Sequence, residues 1–426
     1  MENPSRKWKC SHLSSREAGR GVVACLLLLL FCITGCDTSS GGGVSEPTIH
    51  EPSDLAAFSK VLKDATAGIS ADGELVHFKL SWQLSPVNWN GIINALGTEG
   101  RYVSLDLSAC TKGTHTEGTG LRSDGTFAPN GAPGNKTLAD AERSPGKLMI
   151  VELVLPDQAT KIPEGESKGG AFLYFLSLTK ISGKNITEIG NNAFYMDPGG
   201  ATPNLTEANF PKVTKLGNSA FSYCYELTEV SFPELTTIGN SAFSSCHTLK
   251  SVSLPKAQTL GNSVFGSCFK LTSIALPEAT TIGNTVFQLC ENLASVDLPK
   301  ITTINPGTYN ATGVPGGGVF TGCSSLVTLN IPRITDLGGQ AFTLCENSAA
   351  LTLFITMGAT APKVGENLFL NVNSPRPVIV KRPASGASGY TDDWQTNFKG
   401  KGWDGTAVIA DNTVNNSNIT LSVINL

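Results

Sequence analysis

Charged side chains are scarce in this chain of 426 residues, at 15%, and aromatic ones scarcer, at 7%. So few aromatics argue against a handful of large cores and fit an array of small stacked units. The formal charge is −4, and the first 35 residues hold Arg6, Lys7, Lys9, Arg16 and Arg20 against Glu2 and Glu17, leaving 26 cations against 33 carboxylates. A body that is acidic overall lacks the basic stripe that a phosphate backbone requires, so no nucleic-acid partner is expected. Long apolar runs are missing too. The block Val22 to Thr34 would reach about 20 Å as a helix, short of a hydrocarbon core of about 30 Å. Gly and Pro together make 68 residues, too few for collagen, and 40% hydrophobic residues are too many for wholesale disorder. At this length one core reaches its limit, which leaves two or three domains or a repeat array.

Catalytic and metal signatures are absent as well. His50, His77, His115 and His247 stand singly, with no Gly-x-Ser-x-Gly elbow and no His-Glu-x-x-His helix. Gly316-Gly317-Gly318 is not followed by the Lys-Ser/Thr of a phosphate loop. No Cys-x-x-Cys occurs, and only His247 adjoins a repeat cysteine, so no zinc site is expected. The reading is of a non-enzyme with no catalytic residues, cofactor or metal.

What is present begins with a basic amino terminus and the short apolar block, the layout of a signal peptide rather than a membrane span. It ends in Ile33-Thr34-Gly35-Cys36, which resembles the lipobox of bacterial lipoproteins, read loosely as in spirochaetes. That resemblance implies an acylated Cys36 as the first mature residue and a membrane anchor. The alternative is an ordinary signal peptide cut near Gly35. Asp37 to Gly43 is tether chemistry. Residues 1–35 are thus read as signal peptide and 36–50 as flexible tether.

Self-similarity decides the rest. Cys224, Cys246, Cys268 and Cys290 are 22 residues apart, as are Cys323 and Cys345, and Phe221, Phe243, Phe265, Phe287, Phe320 and Phe342 precede them by three. The unit continues in register as Leu227, Val230, Phe232, Pro233, Ile238-Gly239-Asn240 and Ala242-Phe243. Phe172 to Phe194 is a weaker copy, with Phe175 in the cysteine slot, and Ile150, Leu153, Leu155 and Pro156 look like a still earlier rung. Insertions of 5 and 11 residues explain the longer steps from Phe194 to Phe221 and from Phe287 to Phe320.

Leu-x-x-Val-x-Phe puts Val and Phe on the inward face of a short strand. Proline then stops it, because it cannot donate the next ladder bond. Ile-Gly-Asn reads as a turn whose glycine takes positive φ, and Ala-Phe packs the opposite wall. One such unit cannot bury its apolar face alone, whereas stacked units can. The pattern resembles the leucine-rich repeats of BspA-like bacterial surface proteins, particularly the treponemal type. This resemblance implies a curved parallel solenoid of ~22-residue rungs, and surface proteins that attach to host cells and extracellular-matrix proteins.

Residues 51–147 read as a small α+β cap with a long loop, 148–375 as repeats and 376–426 as a C-terminal cap and tail. In the first cap, Asp54 caps a helix over Leu55 to Lys63, Glu74 to Leu80 alternates like a strand, and Pro86 to Leu96 is a helix ended by Gly97. Arg101 to Ser108 is expected to open the array. Eight Gly and Pro between 111 and 147 read as loop. Val378 to Val380 is expected as the last strand, closed by Tyr390, Trp394, Phe398 and Trp403, similar to the ends of related treponemal proteins.

The cysteine column is expected as small buried packing thiols, because side chains of one ladder point the same way and bridging neighbours would twist them. Cys110 has no evident partner. The outward strand positions are the binding candidates: Glu229, Ser231, Ser251, Ser253, Ser273, Ser295, Asp297, Thr328 and Asn330, with Ala275 among them. They would form a weakly acidic small-residue face suited to a broad protein ligand. Tyr223, Tyr225, His247 and Phe269 either line its rim or pack between rungs. The resulting expectation is a membrane-anchored surface protein with a protein ligand, a host matrix or cell-surface protein being the candidate. A periplasmic envelope scaffold is the alternative. A carbohydrate-active parallel β-helix enzyme shares a similar period, but would need clustered Asp, Arg or Lys on one wall.

Overall fold

A computed structural model of the protein describes residues 47–130, 145–165, 170–195, 205–309, 315–345, 353–365, 368–369, 377–383, 388–391, 409–410 and 419–425. The signal-peptide block, Cys36, most of the tether, and Trp394, Phe398 and Trp403 lie outside the described residues.

Each repeat folds as its pattern dictates. Glu229–Ser231, Ser251–Ser253, Ser273–Ala275, Ser295–Asp297 and Thr328–Asn330 are strands whose central residue points inward. Strands one rung apart pair in parallel and in register, Glu207 with Glu229 with Ser251, and Ser273 with Ser295 with Thr328. After the turn that follows, a second wall is built from two-residue strands such as Thr237–Ile238, Thr259–Leu260 and Thr281–Ile282, again paired rung to rung. Between the walls run the apolar columns. Phe172, Phe194, Phe221, Phe243, Phe265, Phe287, Phe320, Phe342 and Phe369 stack ring on ring, neighbours 4.7–5.9 Å apart and within 13° of parallel. The stack crosses both insertions, which leave the column intact. Stacked parallel rungs around one continuous apolar spine make the array a leucine-rich-repeat solenoid.

The glycine of Ile-Gly-Asn serves a purpose other than the expected one. Positive φ falls instead on Ser219, Ser241, Ser263 and Thr285, at 52–56°, and on Tyr223, Ser245, Ser267 and Leu289, at 59–65°. The glycine recurs because its neighbour is too close: a Cβ on Gly239 would lie 2.5 Å from Asn218 N and Gly217 C. The asparagine beside it forms a ladder of its own. The backbone N–H groups of Asn218, Asn240, Asn262 and Asn284 each donate to the side-chain oxygen of the asparagine one rung back, all at 2.8 Å.

At the amino-terminal end, α1 (Leu55–Asp64) starts at Asp54, whose carboxylate accepts from Ala57 N at 2.9 Å. That hydrogen bond holds the Asp54 carboxyl below its ordinary range. Helix α2 (Pro86–Glu99) has Ser85 as its cap and ends at Gly100, φ 62°. Its expected terminator, Gly97, lies inside the helix, where a Cβ would be 2.8 Å from Pro145 Cγ and 2.9 Å from Gly146 N. Ile49–His50, Val76–Lys79 and Val103–Asp106 join the same parallel ladder ahead of Ile150–Val154. The strand expected to open the array is therefore third in line. Gly120–Leu121 and Phe127–Ala128 form an antiparallel pair within the expected loop, and Thr126 bridges to Lys161 at the first edge of the second wall. At the other end, Val378–Val380 lies within Pro377–Pro383, which is followed rather than final: Ile419–Asn425 pairs with it antiparallel. Tyr390 Oη donates to Gly358 O at 2.8 Å.

Candidate binding surface

The strand register gathers the predicted binding residues into two outward columns. One runs Glu207, Glu229, Ser251 and then Ser273, Ser295, Thr328; the other runs Asn209, Ser231, Ser253 and then Ala275, Asp297, Asn330. Glu229, Ser231, Ser251, Ser253, Ser273 and Thr328 are exposed, while Ser295, Asp297 and Asn330 are half-buried. The half-buried ones are each bonded across a rung: exposed Thr328 Oγ1 donates to Ser295 Oγ, and Asn330 Nδ2 to Asp297 Oδ1, both at 2.7 Å.

The face changes character along its length. Toward the amino terminus it is ion-paired, with Lys180 Nζ 3.7 Å from Glu152 and 3.8 Å from Glu207. Its middle is serine and alanine. Beyond Thr328 the first column continues into Phe354 and Ile379, and the second into Thr356 and Lys381, with Lys381 Nζ 4.8 Å from the centre of the Phe354 ring. Sequence reasoning missed this aromatic and cationic end. The step from Thr328 to Phe354 is four residues longer than the repeat, but the alternation Leu353-Phe354-Ile355-Thr356 carries the signal.

The thiol column does more than pack. Cys224, Cys246, Cys268, Cys290, Cys323 and Cys345 are buried, and each Sγ donates to the carbonyl of the phenylalanine one rung back. These bonds measure 3.6, 3.2, 3.2, 3.0, 3.1 and 2.8 Å in that order. Cys110 makes the equivalent bond to Leu80 O at 3.3 Å. Burial pushes the Cys110, Cys224 and Cys290 thiols up to about 12, so they are poor nucleophiles and poor metal ligands.

Tyr223, Tyr225, His247 and Phe269 make a half-buried row that both packs between rungs and meets solvent. Ring centres lie 5.9 Å apart from Tyr223 to Tyr225, 4.6 Å from Tyr225 to His247 and 4.7 Å from His247 to Phe269. Burial lowers the His247 imidazole below its ordinary range and raises the Tyr225 hydroxyl. Among the described residues no group of three or more His, Cys, Asp or Glu is placed to hold a metal. A cleft of about 300 Å³ opens at the start of the second wall, lined in part by Arg122, Glu164, Lys161, Glu188 and Lys215. Its carboxylate Glu188 is shared by Lys215 at 3.1 Å and Lys161 at 3.9 Å, an arrangement of paired charges rather than of an acid with a nucleophile.

No curated protein matches the chain. Among solved structures, a leucine-rich repeat protein from Bacteroides ovatus is 24% identical with a TM-score of 0.35, over 51% of this chain and 57% of that one. The chain thus spans little more than half the length of that protein. A leucine-rich cell surface protein from Faecalibacterium prausnitzii is 18% identical with a TM-score of 0.28, over 59% and 82%. A T. pallidum leucine-rich repeat protein is 23% identical with a TM-score of 0.28, over 52% and 78%. The family described as BspA type leucine-rich repeat region matches in six copies over residues 148–256, 200–314 and 316–381. With more than half of its length in those copies, the chain belongs to the BspA-type leucine-rich-repeat family.

Proposed function

We propose that the protein is a lipid-anchored, non-catalytic binding protein of the cell envelope whose ligand is another protein, displayed for attachment to host-cell or matrix surfaces. In this reading residues 1–35 are removed, Cys36 carries the lipid, and residues 36–50 hold the array off the membrane. Residues 51–147 and 376–426 cap the repeats at 148–375. One observation carries the reading: the outward positions Glu229, Ser231, Ser251 and Ser253 on one parallel sheet, and Ser273, Ser295, Asp297, Thr328 and Asn330 on the next, each fall into two columns. Their side chains are too small to fill a pocket, so they suit a broad surface recognised through shape and many modest hydrogen bonds. The Phe354 and Lys381 end supplies the aromatic and cationic anchor that the serine stretch lacks.

The test is saturable binding of the folded protein to a panel of immobilised matrix proteins, weakened by Ser273→Lys and Phe354→Ala. Flat binding curves across the panel would count against host attachment. Protease treatment of intact cells separates a displayed protein, which is cut, from one shielded in the periplasm. Cys36→Ala is expected to release the chain from the detergent-rich phase; retention there would remove the anchor from the proposal.

A further inference from the structure

The row of Tyr223, Tyr225, His247 and Phe269 lies outside the strand columns and has no part in the function proposed above. The fold does not require it. Tyr225, His247 and Phe269 each follow a repeat cysteine, and the same position holds Glu291 and Ser324 in later rungs. Those rungs stack just as well: their cysteines donate to Phe265 O at 3.0 Å and Phe287 O at 3.1 Å. The aromatic groups are therefore surplus to the stacking of the array. They are uncharged near neutrality, since burial lowers His247 and raises Tyr225. Their hydroxyl donors are also unused: neither Tyr223 nor Tyr225 makes a side-chain hydrogen bond among the described residues.

Spacing identifies the partner. The rings of Tyr225, His247 and Phe269 advance by 4.6 and then 4.7 Å. A polyproline II chain brings every third residue back to one face after about 9.3 Å, three residues at ~3.1 Å, which is close to two such steps. An extended β-strand repeats a face every ~6.6–6.8 Å and falls out of step with the rings. A sugar ring needs an open aromatic face, whereas these faces are turned toward each other, tilted by only 34° and 32°. The half-buried phenols of Tyr223 and Tyr225 have hydroxyls to offer. They are the donors that the unbonded carbonyls of a polyproline II backbone lack. We propose that this row is a docking site for an uncharged, proline-rich protein segment in polyproline II conformation, with Tyr225 and Phe269 contacting residues three apart.

The full chain is titrated against a fluorescently labelled peptide of ten prolines, with a Gly/Ser peptide of the same length as control and cellohexaose as competitor. Expected are saturable binding of decaproline, none of the control, and no displacement by the sugar. Phe269→Glu and His247→Ser place at these positions residues that the array already carries there, and each is expected to weaken binding by about tenfold or more. Ser273→Lys, on the strand face, is expected to leave it unchanged, which separates this site from the one proposed above. Thermal unfolding of each variant shows that the fold is kept. Should Phe269→Glu unfold, His247→Ser alone decides. Absence of decaproline binding, equal binding of the Gly/Ser peptide, displacement by cellohexaose, or full affinity in a folded variant each overturns the proposal.

Discussion

Two neighbouring rung interfaces differ at the turn that follows the second-wall strand. Where Ile282-Gly283 follows Leu260-Gly261, the second wall is paired, Thr259 with Thr281 and Leu260 with Ile282, and Gly283 N donates to Leu260 O at 2.9 Å. One rung later the slot holds Asn305 and the next residue is Pro306. There the six-stranded wall stops at Thr281–Ile282, and a separate three-stranded one begins at Thr303–Ile304. A Cβ in the slot would stand 2.5 Å from backbone carbon at Gly283, so a residue with a Cβ holds the rungs apart. The Asn305 side chain spans the gap in place of the backbone, donating to Ile282 O at 3.4 Å. Pro306 has no N–H to extend the asparagine ladder. Pro163 fills the same slot in the first rung of the wall, where no rung precedes it. The strand wall and the phenylalanine stack continue across the Asn305 gap. The walls of this solenoid can therefore break one at a time. The strand wall has its own gap between Ser251–Ser253 and Ser273–Ala275, which nothing in those two triplets explains.

The largest expected effect comes from cutting what both interfaces share. Phe287 stacks on Phe265 across the paired interface and on Phe320 across the gapped one. Phe221→Ala, whose two neighbouring interfaces are paired in both walls, and Phe287→Ala should each cost about 3–5 kcal/mol. Only Phe287→Ala should split urea unfolding into two transitions, because the gapped interface has fewer columns left to couple the halves. A single transition in both variants would show that the gap carries no energetic weight. Next, Gly261→Ala should destabilise by about 1–3 kcal/mol through overpacking, although its φ is not positive and such a change usually stabilises by about 0.4–1 kcal/mol. Asn305→Ala should stay within about 0.5 kcal/mol. Equal effects of the two would abolish the distinction drawn between the interfaces.

Much of this was legible in advance, because repetition turns a weak local signal into a strong one. The phenylalanine and cysteine columns, the strand triplets and the Asp54 cap all follow from periods and caps within one stretch of chain. What escaped depends on contacts between rungs. The role of Gly239 is set by the backbone of Asn218, 21 residues earlier, and that of each thiol by a carbonyl in the previous rung. Ile49–His50 is only two residues long, too short to carry a pattern, so the array's first strand went unseen. Phe354 and Lys381 were lost because a shift of four residues hides them from a 22-residue frame.

The thiols offer a smaller test that applies to both interfaces. Cys246 donates across an interface paired in both walls and Cys323 across the gapped one, so Ala at either should cost about 1–2 kcal/mol. Protonated thiols are favoured in the native state. Cys110, Cys224 and Cys290 rise from 9.0 to about 12 on folding, so their contribution is complete below pH 9 and is lost as pH climbs toward 12. Stability measured by urea unfolding should fall across that window, and less so in Cys224→Ala. A flat profile would mean that water reaches the column.

The smallest effect belongs to His247, whose rung stands on the paired side of the Asn305 gap. Burial between Tyr225 and Phe269 lowers its imidazole below the ordinary 6.5. In that window the unfolded chain therefore binds the proton that the native one refuses, and native stability declines as pH falls below 6.5. His247→Phe keeps a ring in the row and removes the proton site. It should flatten the part of the acid profile that His247 contributes while leaving stability at pH 8 nearly unchanged. If the slope between pH 7 and pH 5 is the same in both proteins, the imidazole is open to water, and the row is less closely packed than its ring distances indicate.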